Sequence, residues 1–197
     1  YTLLALIEQL GMVAIDMGCI GDSFFETEQA LIEAELNADC IISSGGVSVG
    51  EEDYVKEAVA ALGSIEFWRV AIKPGKPLAF GRVANTPFIG LLGNPASVFV
   101  TFTVLARPFL LASQGLSVQR KPMLKAVSLF SREAESREVY LRGRLSCTDK
   151  GEGVEIYPNQ SSGVLSSVCW GDVLVRQNSG EHIQVDDLVD VLVYSAY

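Results

Sequence analysis

Three glycine-bearing loops hold the side chains best suited to chemistry. The first runs from Ser43 to Tyr54 as SSGGVSVGEEDY, between an apolar run and a helical one. Glycines there let backbone N–H groups come close to a ligand oxygen, and the helix start that follows favours an anion. The endings that mark a Walker loop or a dinucleotide fingerprint are absent. Asp53 opens the following helix. An N-cap role accounts for it, and holding a divalent cation beside a phosphate is the functional alternative. The second loop is IKPGKP, Ile72 to Pro77. Lys73 and Lys76 stand three apart in a frame of two prolines and a glycine. Lysine is a point charge that suits a phosphate or another oxyanion without fixed bidentate geometry. An ordinary solvated turn is the plain alternative. The third loop is LLGNPAS, Leu91 to Ser97, where Gly93-Asn94-Pro95 turns and Ser97 brings a hydroxyl to the head of an apolar helix. An Asn-Pro turn with a helix cap would look the same. Together, one acidic and one dibasic among three such loops point to a phosphate-bearing ligand with a metal.

Charge patterning supports an anionic ligand. The 197 residues carry 15 basic and 24 acidic side chains, a net charge of -9. That argues against a generic nucleic-acid binder. From Phe67 to Arg132 no Asp or Glu occurs, while Arg69, Lys73, Lys76, Arg82, Arg107, Arg120, Lys121, Lys125 and Arg132 do. Burial explains missing carboxylates, but it disfavours Lys and Arg as well. Losing one sign alone predicts a local anion site on an acidic protein. Apolar runs fall short of the ~20 residues a membrane helix needs. Cys19, Cys40, Cys147 and Cys169 lack CxxC spacing, and two lie in apolar runs where buried free thiols are common. This predicts reduced thiols and a cytoplasmic protein. A single histidine, His182, weighs against serine–histidine catalysis and a multi-histidine metal site.

The elements that must position these loops are α/β first, then all β. Thr2 to Leu10 reads as a helix with Gly11 as its C-cap, and Met12 to Met17 as a short buried strand. Ser23 and Glu26 form a capping box for a helix from Glu26 to Leu36. A strand at Cys40 to Ser43 and a helix at Asp53 to Leu62 follow. Further strands are expected at Ile65 to Ile72, Leu78 to Val83 and Phe88 to Leu92. Ala96 to Ala112 is apolar on all faces, which predicts a buried helix that Pro108 kinks or shortens. The alternation predicts a layered α/β domain with a mostly parallel sheet. Past Gly115, β-rich runs cover Met123 to Phe130, Glu138 to Ser146, Val154 to Tyr157, Asp172 to Arg176 and Leu188 to Tyr194. Turn signals separate them, which predicts a small barrel or sandwich. The expected domains are residues 1–117 and 118–197. Phe67, Trp68 and Trp170 read as packing residues, and Glu51, Glu52 and His182 as solvated ones.

In their order, SSGGVSVGEEDY, FWRVAIKPGKPLAFG and GLLGNPASVFVTF resemble the molybdopterin molybdenumtransferase family, to which the C-terminal E domain of gephyrin belongs. The likeness extends over nearly the whole chain. It implies a molybdopterin-binding α/β fold followed by a β-barrel, and insertion of molybdate into adenylylated molybdopterin with loss of AMP. It also implies Mg²⁺, a homodimer with the active site between subunits, and a molybdopterin adenylyltransferase as a further partner. Neither nucleic acid nor membrane enters. Members of the family are considerably longer, so the resemblance implies a C-terminal fragment whose missing domains complete the site.

Roles follow position by position. The resemblance makes Asp53 the acid needed for Mg²⁺-dependent cleavage of the adenylyl phosphoanhydride, and Asp22 in the Ile20-Gly21-Asp22 turn a second acid of the site. Gly45, Gly46 and Ser48 match the loop that holds the pterin phosphate or nucleotide. Lys73 and Lys76 match lysines that face molybdate and phosphate. Gly93, Asn94 and Ser97 line the same site, and Arg142 and Ser162 match residues of an oxyanion site in the β domain. Two positions depart from the pattern: Leu92 stands where the family often has proline, and Arg69 where it often has lysine. Three alternatives stay open: a fragment that binds pterin, nucleotide or molybdate without turnover, a molybdopterin adenylyltransferase, and a scaffold.

Overall fold

The computed structural model describes residues 1–47, 54–75, 77–117 and 123–194, the side chains of 67–69 and 77 excepted. Ser48, Asp53 and Lys76 therefore lie outside the described residues, as do the side chains of Phe67, Trp68 and Arg69. The chain forms two compact units: Tyr1–Val70 with Gly75–Asn94, and Ala71–Pro74 with Pro95–Tyr197. Both IKPGKP and GNPAS contain residues of each unit.

The first unit holds helices α1 (Thr2–Glu8), α2 (Phe24–Asn37) and α3 (Tyr54–Leu62). Its sheet contains β1 (Ile41–Ser44), β2 (Gly63–Arg69), β4 (Pro77–Val83) and β5 (Thr86–Leu91), ordered β1-β5-β4-β2; β3 (Ile72–Lys73) belongs to the second unit. The α/β class is as the sequence predicts. The expectation of a mostly parallel sheet is corrected. Only β1 and β5 run parallel, from Ile41↔Phe88 to Ser44↔Leu91, and β5–β4 and β4–β2 are antiparallel. The reason is local: Ala84 and Asn85 alone join β4 to β5, and so short a link makes only an antiparallel hairpin. The expected strand at Met12 to Met17 is also corrected. That segment pairs with no described strand, and Val13 and Ile15 are 89% and 50% exposed. Apolar patterning without a ladder partner leaves backbone groups to water and makes no strand.

Helix α2 starts as the capping box predicts. Ser23 Oγ accepts the N–H of Glu26 at 3.2 Å, and its hydroxyl donates to Glu26 Oε2 at 2.8 Å. Leu31 and Ala34 of α2 and Ala58 and Val59 of α3 meet Ile41, Val47, Ala79, Val83 and Phe88 in one core. That packing fixes the strand ends from which the first and third loops emerge.

In the second unit, Pro95–Thr101 (α4) continues through a π-helical turn at Phe102–Ala106 into Arg107–Ser113 (α5). Pro95 fits the first helical position, where an N–H is not needed. Pro108 does not end the helix. Arg107 N donates five residues back to Phe102 O, and this wider turn carries the chain past the proline that lacks an N–H. The expectation that apolar runs fall short of a membrane span is corrected: Pro95–Ser113 is long and apolar enough by length and composition, yet most of it is buried in the fold.

The rest is a barrel: β6 (Leu124–Ser128), β7 (Glu138–Thr148), β8 (Gly151–Ile156), β9 (Val173–Gln177) and β10 (Leu188–Val193). The order β7-β8-β6-β10-β9 closes because β9 pairs again with β7. Strand β3 adds to β7 in parallel, Ile72↔Glu138 and Lys73↔Val139. Val139, Leu141, Val154, Val173, Val175, Val189 and Val191 fill the interior. A short helix, α6 (Ser166–Trp170), packs against β7. All four cysteines are free thiols, but the expectation of buried ones is corrected: Cys19, Cys147 and Cys169 are exposed and Cys40 is half-buried.

Candidate functional site

Arg142 is the most informative residue of the second unit. It lies on β7, where side chains alternate between faces. Val139 and Leu141 point into the barrel, so Arg142 points away from it. It is nevertheless fully buried, because the segment from Gln160 to Ser167 covers it. Arg142 Nε donates to Ser167 Oγ at 2.9 Å, and Nη2 to Ser161 O at 3.0 Å. Gln160 pins the covering segment to the strand. Its Oε1 accepts from Arg142 N at 3.0 Å, and its Nε2 donates to Arg142 O at 2.9 Å.

No carboxylate pairs with this guanidinium among the described residues. Burial pulls the Arg142 pKa down, while the nearby Tyr194 acts in the opposite sense. Tyr194 Oη is itself buried with no partner among the described residues, and burial pushes its phenol up. A buried cation without a counter-ion is costly. An anion beside it would relieve that cost.

The head of α4 joins the same group. Ala96 N donates to Ser162 O at 3.0 Å, and Ser97 is buried. Arg142, Ser162 and Ser97, separated by up to 65 positions in the sequence, are therefore brought together through the Ser161-Ser162 backbone. Lys73 lies on β3, whose register sets it opposite Val139, three residues before Arg142 along β7. Lys73 Nζ pairs with Glu135 at 2.8 Å.

In the first unit, the glycine loop and the Gly93 turn meet at the ends of the parallel pair. Gly45 N donates to Leu91 O at 2.9 Å, and a Cβ on Gly93 would sit 3.7 Å from Gly45 Cα. Gly45 and Gly46 have φ of 96° and 65°, a region that favours glycine. Gly93 and Asn94 are exposed. Ser43 Oγ, on β1 just before this loop, is buried without a partner among the described residues. The ends of parallel strands at such a loop are where ligands sit in α/β sheets. Asp22 is exposed in the bend ahead of the Ser23 cap, and no described hydrogen bond joins it to Gly45 or Gly93.

Among the described residues, no group of three or more His, Cys, Asp or Glu side chains could hold a metal ion. With Asp53 outside them, the described residues do not by themselves supply the oxygen donors that Mg²⁺ takes. The cationic stretch is partly neutralised from beyond its end. Lys125 pairs with Asp190 at 2.7 Å, and Lys73 and Arg132 both pair with Glu135. Sequence reading did not single out Glu135, Gln160 or Ser167. The available signal for Glu135 was its place among the first carboxylates after the acid-free stretch.

Residues 1–112 match the family model described as a probable molybdopterin binding domain, and residues 125–194 match that of the MoeA C-terminal region (domain IV). The molybdopterin molybdenumtransferase of Haemophilus influenzae is 40% identical over 154 residues, 77% of this chain and 38% of that protein. That of Nostoc sp. is 38% identical over 156 residues, covering 76% and 36%. The molybdenum cofactor synthesis protein cinnamon of Drosophila melanogaster is 34% identical over 179 residues, covering 87% and 29%. The chain thus spans well under half the length of these relatives. The solved structure of the molybdopterin biosynthesis MoeA protein from Pyrococcus horikosii superposes with a TM-score of 0.82 at 25% identity, over all of this chain and 47% of that one.

Proposed function

The chain belongs to the molybdopterin molybdenumtransferase family, and from that premise we propose that it serves insertion of molybdate into adenylylated molybdopterin, with release of AMP. One observation carries the reading: Arg142 is a fully buried cation with no carboxylate partner among the described residues, held against the Ser161-Ser162 backbone that also caps α4. A dianionic oxyanion suits such a position. Arg142 and the hydroxyls of Ser97 and Ser162 bind and orient the oxyanion in this proposal. Lys73 and Lys76 oppose the charge that develops on the phosphoanhydride oxygens as AMP leaves. Gly45, Gly46 and Ser48, with Gly93 and Asn94, hold the nucleotide or pterin phosphate through backbone N–H groups. Mg²⁺ belongs to the proposal through Asp53, with Asp22 as a second acid.

The proposal includes a cytoplasmic homodimer, a molybdopterin adenylyltransferase as supplier of the substrate, and domains at 1–117 and 118–197. A second reading is that the chain binds pterin, nucleotide or molybdate and turns nothing over.

The deciding experiment is AMP release from adenylylated molybdopterin by this chain with Mg²⁺ and molybdate. Molybdate-dependent release that disappears in Asp53→Ala and on chelation supports the transferase. Molybdate binding without AMP release supports the binding fragment. Adenylylation of molybdopterin by ATP would move the chain to the adenylyltransferase class.

A further inference from the structure

Lys73 does not stand free. Its Nζ lies 3.0 Å from Oε1 and 2.8 Å from Oε2 of Glu135, and the same carboxylate takes a bond from Arg132 Nη2. The other two members of this cluster, Glu135 and Arg132, are anchored. Arg132 Nε donates to Gln177 Oε1 at 3.0 Å, and Gln177 is fully buried, with its Nε2 donating to Glu133 O and Glu181 O at 2.9 and 2.8 Å. Glu135 O accepts Gly180 N at 2.8 Å. Lys73, by contrast, ends a flexible stem with its side chain 43% exposed.

We propose that Lys73 and Arg132 form a subsite for a tetrahedral oxyanion dianion, and that Glu135 is its resident counter-ion, displaced when the dianion enters. The inference rests on the reading of the chain as a molybdate-handling protein and adds Arg132 and Glu135 to it. Two cations reaching one carboxylate from different elements present a pair of donors to one edge of an anion. The two oxygens of a carboxylate supply such an edge, and so do any two oxygens of a tetrahedral oxyanion. Charge favours the exchange. With Glu135 the cluster keeps a net positive charge of one, and a dianion in its place brings it to zero. The Lys73 arm of the contact is inexpensive to open, because the Lys73 side chain is 43% exposed and ion pairs made by exposed lysines contribute little. Glu135 therefore discriminates: a monoanion gains nothing by replacing it, and a dianion does.

The test is equilibrium dialysis of the whole 197-residue chain with molybdate and, separately, with inorganic phosphate. Glu135→Gln keeps a partner for Arg132 and removes the charge. It is expected to tighten molybdate binding about fivefold, the size an exposed ion pair commands. Glu135→Ala should do the same where the glutamine variant folds poorly by circular dichroism. Arg132→Gln should weaken binding, and combined with Glu135→Gln should erase the gain. An equal gain for phosphate makes this a general dianion subsite that also takes a substrate phosphate. A gain for molybdate alone makes it the metal-oxyanion subsite, and either result supports the proposal. Binding by Glu135→Gln and Glu135→Ala that is unchanged or weaker overturns it. If Lys73→Ala then weakens molybdate binding, the Lys73 reading survives without Glu135. If Lys73→Ala changes nothing either, both fall.

Discussion

The backbone N–H of Ala96 donates to the carbonyl oxygen of Ser162 at 3.0 Å. This single bond ties the head of α4 to the segment that covers Arg142, whose guanidinium holds the neighbouring Ser161 carbonyl at the same distance. A helix start, a serine-rich loop and a buried cation thus share one short stretch of backbone. The positive end of a helix and a buried guanidinium with no carboxylate partner among the described residues both favour an anion.

That arrangement sets the first expectation, which concerns Arg142→Met. A ligand that binds only the folded state raises stability by mass action, about 2.7 kcal/mol at a hundred times its dissociation constant. Molybdate or sulfate should therefore raise the melting temperature of the wild-type chain. The Arg142→Met variant should show no such rise, whatever its own basal stability. Differential scanning fluorimetry across an anion titration measures this. An equal rise in both proteins would remove Arg142 from the anion site.

Two glycines separate backbone conformation from packing. At Gly45 a Cβ would meet nothing within 4 Å, but φ is +96°, so Gly45→Ala is expected to cost about 1–2 kcal/mol through the backbone alone. At Gly90 a Cβ would lie 2.3 Å from Val47 Cγ1 and 3.0 Å from Ala79 Cβ. Gly90→Ala should cost about 1–3 kcal/mol by overpacking the core. Pairing it with Val47→Ala should recover part of that loss, while the same partner gives Gly45→Ala no relief. Urea unfolding midpoints distinguish the two mechanisms.

Most elements were legible because local signals and tertiary packing agree. The Ser23 and Glu26 cap, the barrel strands and the Pro95–Ser113 helix all follow from capping, alternation and all-round apolarity. Met12 to Met17 misled because strand patterning says nothing of whether a ladder partner exists. Parallel order misled for a related reason: alternation of strands and helices does not reveal that Ala84 and Asn85 close a hairpin. At the site, Arg142 and Ser162 came from resemblance, and only the fold shows that Gln160 and Ser167 hold Arg142 in place. The Lys73–Glu135 pair spans 62 positions, and no local pattern encodes such a contact.

Thiol reactivity is expected to divide the cysteines. Burial, with a smaller push from Asp39, raises the Cys40 thiol to about 11. At about pH 8 that leaves on the order of one thiolate per thousand Cys40 side chains, and the thiolate is the nucleophile. Cys19, Cys147 and Cys169 are exposed. Iodoacetamide should modify these three in the folded chain and reach Cys40 only after denaturation, as read by peptide mass spectrometry. Early labelling of Cys40 would mean that the β1 end opens in solution.

Acid should reveal the Lys73–Glu135 pair. The hydrogen bond from Lys73 holds the Glu135 carboxyl below its ordinary 4.5, against a smaller opposing effect of burial and with help from the charges of Lys73 and Arg132. A carboxylate whose folded pKa is depressed binds fewer protons folded than unfolded, so its stabilisation is present in full above about 4.5. It fades as pH falls through the lower folded value. The wild-type stability advantage over Glu135→Gln should therefore be constant near neutrality and vanish in acid. Burial pushes the Glu138 carboxyl up, but its bonds from Arg176 and Tyr140 and the Arg176 charge together outweigh it, so Glu138 titrates in the same sense. It is present in both proteins and cancels in the difference. Unfolding midpoints from about pH 7 to about pH 3 give the comparison. A difference that persists undiminished at the acid end would show that Glu135 supports the fold through its shape rather than through its charge.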